Sequence, residues 1–283
     1  MKEISTMGVV GAGQMGRGIA QVAIQAGFSV LVYDEKKEAL DHAEGFIVEK
    51  LSAGIKKGKW TQENADLAIK RLKKANSFED FSHCDLVIEA ATEKKEIKFS
   101  IFRKLDQVLD VKAILASNTS SISITEIAAC TQRPSQVAGM HFMNPVPVMK
   151  LIEGIRGSET SDETFQLISN VAKKMNKIFI SVEDGPGFAV NRILMPMVNE
   201  AAFTLYEGIA NAKDIDTAMK LGANWPMGPL ELADFIGLDT CLSIMEILYE
   251  GFGDSKYRPC PLLKKYVAAG RWGRKTRYGF YKY

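Results

Sequence analysis

The chain has 283 residues, 46% of them hydrophobic and 25% charged, with a formal net charge of +2. Such a length and composition describe a globular protein large enough for two domains, and the near-balanced charge gives no general case for binding nucleic acid or a membrane surface. No uncharged apolar stretch reaches a membrane span, and the four cysteines (Cys84, Cys130, Cys241 and Cys260) have neither metal-ligand spacing nor a disulfide framework.

A first strand is expected over residues 4–10. It leaves no room for a signal or transit peptide, so the cytosol is the expected location, with a processed organellar form left open. The strand runs into Gly11-Ala12-Gly13-Gln14-Met15-Gly16, which opens an apolar helical stretch at 19–26. A second strand, 28–33, ends on Asp34, at 34 − 11 = 23 residues beyond the first glycine. Strand, G-x-G-x-x-G, helix, strand and acid together form a dinucleotide-binding pattern. Gly11 permits the tight turn, Gly13 lets the backbone approach a pyrophosphate, and Gly16 lets helix and strand pack closely. The alternative is a purely structural glycine turn. Asp34 can bind the ribose hydroxyls of an adenosine and repels a 2′-phosphate, so NAD is favoured over NADP, although Lys36 and Lys37 soften that repulsion.

Helices are expected at 35–57 and 61–74, with a turn at Gly58 between them. A buried strand follows at 85–90, a helix at 94–109 and another buried strand at 113–116. Ser117-Asn118-Thr119-Ser120-Ser121 then lies at the carboxyl end of a parallel strand, the edge that lines the ligand crevice in open α/β sheets. These residues either cap the next helix or offer a hydroxyl to the nicotinamide or substrate. Further strands are expected at 136–142 and 148–155. Strands alternating with helices imply an α/β fold with a doubly wound, mostly parallel, Rossmann-type sheet. Gly185-Pro186-Gly187 marks a break, beyond which the pattern is helical, at 188–208, 212–222, 228–235 and 238–249. The expected division is a dinucleotide-binding domain at 1–184 and a smaller all-helical domain at 185–283.

Three histidines occur. His42 and His83 lie in polar stretches and read as solvated. His141 ends an apolar strand, before Pro145 and Pro147. Alone it reads more readily as a core or turn-capping residue than as a catalytic one. Glu153 changes that balance: His141 and Glu153 are each six residues from Pro147 (147 − 141 and 153 − 147). If the segment folds back antiparallel, they become cross-strand neighbours, and a glutamate among apolar residues needs a partner. The other reading is an edge-strand glutamate in water. Lys50, Lys56, Lys57 and Lys59 form a basic patch suited to phosphate, or a solvated helix face.

Several stretches carry a resemblance: GVVGAGQMGRGIA, LASNTSS, HFMNPVPVMKLIE, DGPGFAVNR and AMKLGANWPMGPLELADFIGLDT. They span nearly the whole chain, which resembles the short-chain L-3-hydroxyacyl-CoA dehydrogenases, most of all the bacterial 3-hydroxybutyryl-CoA dehydrogenases. The resemblance implies NAD-dependent interconversion of a short 3-hydroxyacyl-CoA and its 3-keto counterpart. It implies His141 as general base, Glu153 as its orienting carboxylate, and Ser120 and Asn191 as contacts to the substrate oxygen. Glu93, Lys98, Asn144 and Lys275, with Ser120, match positions near the nicotinamide nucleotide, beside Gly11, Gly13, Gln14, Met15, Gly16 and Asp34 of the glycine turn and second strand. Lys50 and Lys57 match positions for the CoA nucleotide. A homodimer through the helical domain is a further expectation, and no metal is implied. Arg277 stands where the family has glycine, in a turn expected to need positive φ. Two other readings stay open: a dehydrogenase of a free 3-hydroxy acid, and a non-catalytic NAD-binding structural protein.

Overall fold

The computed structural model describes residues 3–283. The chain forms two compact units, divided between Gly185 and Pro186.

In the first unit, β1 (Thr6–Val10), α1 (Gln14–Gln25), β2 (Ser29–Tyr33), α2 (Lys37–Lys56), α3 (Gln62–Lys70) and β3 (Leu72–Lys74) come first. They are followed by β4 (Leu86–Glu89), α4 (Lys95–Val108), β5 (Ile114–Ser117), α5 (Ile124–Ala128) and β6 (Val137–Phe142). The unit ends with β7 (Leu151–Arg156), α6 (Asp162–Lys174) and β8 (Ile178–Glu183). Among the described residues the sheet has eight strands in the order β3-β2-β1-β4-β5-β6-β7-β8. Pairing is parallel except between β6 and β7, so β7 and β8 run against the other six. The winding reverses between β1 and β4, and the carboxyl ends of those two strands define the crevice where such sheets bind ligands.

The central strands are apolar on both faces because helices cover both. Met7, Val9, Val30, Leu86, Ile88, Leu115, Ala116 and Met140 are all buried. Each fully buried aliphatic side chain stabilises the unit by roughly 1.5–3 kcal/mol relative to exposure. Helix α1 contributes Ile19, Ala20, Ala23 and Ile24 to this core.

Four elements of the first unit depart from the sequence reading. The helix expected over 61–74 ends at Lys70, and Leu72–Lys74 instead pairs in parallel with β2 as an edge strand. Three residues are too few to show a period of two. Both α6 and β8 went unread. Ser161 nonetheless caps α6, accepting from the Thr164 amide at 3.2 Å, and acidic residues fill the first turn. The strand expected at 148–155 begins at Leu151, because residues 146–148 form the turn before it.

The second unit comprises α7 (Val190–Tyr206), α8 (Ala212–Gly222), α9 (Pro229–Ile236), α10 (Leu238–Phe252) and α11 (Pro261–Ala268). Its core gathers Met195, Val198, Leu230, Leu238, Met245 and Leu248. Two buried aspartates organise it. Asp216 accepts from the Leu230 and Glu231 amides at 2.8 and 2.9 Å, satisfying the start of α9. Asp234 accepts from the Phe280 and Tyr281 amides, both at 2.9 Å, and so fastens the C-terminal tail. Burial pushes the Asp234 carboxyl above its ordinary value, against those hydrogen bonds. The turn at Arg277 has φ +60°, the left-handed conformation that favours glycine. Arg277→Gly is therefore expected to stabilise the protein by about 1 kcal/mol. A thermal scan checks it: Tm rises by roughly 2–4 °C, and an unchanged or lower value refutes the strain.

Candidate active site

The crevice begins at the glycine turn. Gly11 has φ +102°, and a Cβ there would lie 2.6 Å from the Ala90 carbonyl oxygen, so β4's continuation packs directly on the turn. At Gly16 a Cβ would lie 1.7 Å from the Gly11 carbonyl oxygen, which locks helix to turn. Gly13 is the opposite case: a Cβ there meets nothing within 4 Å. It is the N-cap of α1 and provides no side-chain cap, so no side chain of the cap residue occupies the first amides of the helix. Backbone donors and the positive helix end suit an anion there. Asp34, at the end of β2, accepts from the Ala12 amide at 2.7 Å and the Lys36 amide at 2.9 Å. Each carboxylate oxygen keeps acceptor capacity for a ribose hydroxyl. A cleft of about 830 Å³ is bounded by the glycine turn, Asp34 and the loop after β4. These residues fit a dinucleotide.

At the ends of β4 and β5 lies a polar cluster. Glu89, fully buried, accepts from the Ala91 amide at 2.7 Å, the Ser117 hydroxyl at 2.7 Å and the Lys98 ammonium at 2.8 and 2.9 Å. Lys98 is 1% exposed and reaches the second carboxylate, Glu93, at 3.2 Å. Glu93 in turn receives the Thr119 hydroxyl at 2.5 Å, the Ser120 amide at 2.9 Å, the Ser121 hydroxyl at 2.8 Å and the Ser120 hydroxyl at 3.3 Å. Desolvation raises the Glu93 carboxyl's pKa, but the Lys98 charge and these hydrogen bonds outweigh it and hold the group below its ordinary value. The 117–121 segment is thus wired to the loop after β4. Asn118 Oδ1 also accepts from the Phe142 amide at 2.9 Å, tying that segment to the end of β6.

Beside it, β6 and β7 pair antiparallel with His141 directly opposite Glu153. Nδ1 of His141 lies 2.7 Å from Oε2 of Glu153. The histidine is 8% exposed and the glutamate fully buried. A carboxylate in that position fixes the imidazole's tautomer and stabilises its protonated form. The hairpin turn is held from two sides. Gln14, at the start of α1, donates its side-chain amide to Asn144 Oδ1 at 2.9 Å. The buried Lys177 ammonium donates to the Val146 and Met149 carbonyls at 2.5 and 2.7 Å. Burial pushes the Lys177 pKa down. His42 and His83 are exposed on the surface.

Residues 6–185 match the 3-hydroxyacyl-CoA dehydrogenase NAD binding domain, and residues 187–283 match the 3-hydroxyacyl-CoA dehydrogenase C-terminal domain. The chain belongs to the 3-hydroxyacyl-CoA dehydrogenase family. It is 55% identical over 276 residues to a probable 3-hydroxybutyryl-CoA dehydrogenase of Deinococcus radiodurans, covering 98% of this chain and 99% of that protein. It is 42% identical to the human mitochondrial hydroxyacyl-coenzyme A dehydrogenase over 97% of this chain and 90% of the other. The crystal structure of (S)-3-hydroxybutyryl-CoA dehydrogenase from Ralstonia eutropha superimposes with a TM-score of 0.97 at 48% identity, covering 99% of both chains.

Within this dehydrogenase chain the remaining candidate residues are placed as follows. Lys50 lies on α2 with its ammonium 3.1 Å from Glu49 and 4.9 Å from the Phe46 ring centroid. Lys56, Lys57 and Lys59 are exposed around the end of α2. In the helical unit, Asn191 is buried in the first turn of α7. Lys275 donates to both Asp239 oxygens at 2.8 and 3.0 Å and lies 3.0 Å from the Thr240 hydroxyl, at the start of α10. Three residues escaped sequence reasoning. Glu89 was hidden as the last residue of an apolar strand, although an acid there signals a buried partner. Lys177 and Asp239 had no local signal.

No described helix is long and apolar enough to cross a membrane, and no group of metal-ligating side chains occurs among the described residues.

Proposed function

We propose that the chain reversibly interconverts (S)-3-hydroxybutyryl-CoA and acetoacetyl-CoA with NAD(H), with His141 as general acid and base. The 2.7 Å contact between His141 Nδ1 and Glu153, at the carboxyl end of β6, carries this reading. With Nδ1 engaged by the carboxylate, proton exchange with the substrate's 3-oxygen falls to Nε2. In oxidation His141 takes the hydroxyl proton and Glu153 stabilises the imidazolium; in reduction the imidazolium returns the proton to the oxygen. A bound nicotinamide would supply the hydride chemistry, exchanging a hydride with the substrate's C3.

The Ser120 hydroxyl orients the 3-oxygen. It lies 3.3 Å from a Glu93 oxygen, in the loop after β5. The family resemblance adds Asn191 to that role and assigns Glu93, Lys98, Asn144 and Lys275 to the nicotinamide nucleotide. Gly11, Gly13, Gln14, Met15 and Gly16 receive the pyrophosphate, and Asp34 the adenosine ribose. Lys50 and Lys57 bind CoA phosphates. A homodimer through the helical unit belongs to the same reading, supported by the exposed Ile193, Ile209 and Leu221. So does a cytosolic location, which suits four cysteines that are all free thiols.

Acetoacetyl-CoA against free acetoacetate tests the substrate class. The thioester is expected to show a kcat/KM about 10³-fold higher, because binding energy from the remote nucleotide is used at the reacting centre. Equal values indicate a free-acid dehydrogenase. Coenzyme choice is a second check. Asp34 beside a 2′-phosphate sets like charges at close range, so kcat/KM for NADPH is expected to be about 100-fold below that for NADH. A preference for NADPH contradicts this role of Asp34.

A further inference from the structure

We propose that Glu89, Lys98 and Glu93 form a charge-setting triad that shifts the site's relative affinity toward the oxidised, positively charged nicotinamide. This rests on the NAD(H) reading above.

Two carboxylates share one ammonium. Lys98 directs its N–H bonds to Glu89 Oε1 and Oε2 and to Glu93 Oε2. The geometry shows Glu89 as a carboxylate: each of its oxygens accepts from two donors, Ala91 N–H and Lys98 on one, Ser117 O–H and Lys98 on the other. No lone pair is left for a carboxyl proton to occupy without displacing a donor. Glu93 takes Lys98 on one oxygen and the loop donors on the other, and these hold its carboxyl below its ordinary value despite desolvation. The triad therefore carries one surplus negative charge. The neighbouring Lys95 is paired with Glu126 and does not neutralise it.

That charge is fixed in place. Glu89 sits on β4, in register with Ser117 of β5, and is fully buried. Glu93 is 36% exposed at its side chain and gathers the loop that bears Ser120. The surplus thus lies at the sheet edge assigned to the reacting groups. Burial of Glu89 and Lys98 limits screening of that part of the triad by salt. The oxidised nicotinamide ring carries a positive charge that the reduced ring lacks, so only the oxidised cofactor gains from the triad. Glu89 acts through Lys98 and Glu93, as a positioning residue that also contributes the second negative charge.

Dissociation constants for NAD+ and NADH, measured by titration calorimetry on the full chain, test this. Glu89→Gln and Glu93→Gln each reduce the triad to neutrality. A unit charge acting over about 10 Å, two strand spacings, in a medium of dielectric ~40 changes an equilibrium by roughly fourfold. Both variants are expected to raise Kd(NAD+)/Kd(NADH) by about that factor. Ser117→Ala removes a hydrogen bond to Glu89 without changing charge, and the ratio should stay at the wild-type value. The idea fails if Glu93→Gln moves both constants equally, or if Ser117→Ala shifts the ratio as much. Should Glu89→Gln not fold, the half-exposed Glu93→Gln decides the matter. Wild-type protein that binds neither dinucleotide overturns the NAD(H) reading itself, a different result from binding with an unmoved ratio.

Discussion

His141→Gln is expected to lower kcat for acetoacetyl-CoA reduction by about 10²–10⁴-fold, the usual contribution of a positioned general acid, while NADH binding is retained. Glutamine is the informative replacement. Its side-chain amide can still donate to Glu153, which is fully buried. Removing one partner of a buried pair outright costs about 3–5 kcal/mol, because the other charge is left uncompensated. Alanine would therefore mix loss of chemistry with loss of structure. Glutamine keeps the donor and removes only the proton that can be exchanged. The measurement is steady-state NADH oxidation beside a separate NADH titration. Turnover within tenfold of wild type excludes His141 as the proton relay.

Gly13→Ala is expected to weaken NADH binding by about 10–100-fold, equivalent to one lost hydrogen bond to a charged group. Its thermal stability should change little. The backbone there, φ −67°, is ordinary for any residue, and the added methyl meets nothing within 4 Å. An alanine N-cap is modestly worse than glycine, by less than about 1 kcal/mol. The space the methyl enters is the space through which the pyrophosphate must approach. Gly16→Ala provides the contrast: its methyl would sit 1.7 Å from the Gly11 carbonyl, so that variant loses the turn itself. Titration of NADH fluorescence with a parallel thermal scan separates the two effects. Unchanged affinity in Gly13→Ala removes Gly13 from the nucleotide site.

Much of this was legible in the sequence because the signals are local. The glycine turn needs six consecutive residues and a strand on either side. The His141–Glu153 pair could be anticipated from equal spacing about Pro147, because antiparallel strands joined by a turn place such residues opposite each other. The register bears that out. What escaped was set by distant partners. Leu72–Lys74 is a strand only because β2 lies alongside it. Lys177 looks like a surface lysine, yet the carbonyls that bury it come from 28 to 31 residues earlier. Lys98 carried a helix-face pattern that gave no hint of the two carboxylates around it. Asp239, the acid that holds Lys275, lies 36 residues away from it.

The single antiparallel pairing in the sheet also restricts how the turn between β6 and β7 can vary in length. Neighbouring residues on a strand point to opposite faces, so slipping one strand by a single position exchanges its faces. One residue gained or lost in that turn, if the strands re-paired around it, would send the carboxylate to the far side of the sheet from the imidazole. A change of two would restore the face but move the partner along the strand by about 7 Å. The span between the two side chains is therefore as tightly constrained as their chemical identity.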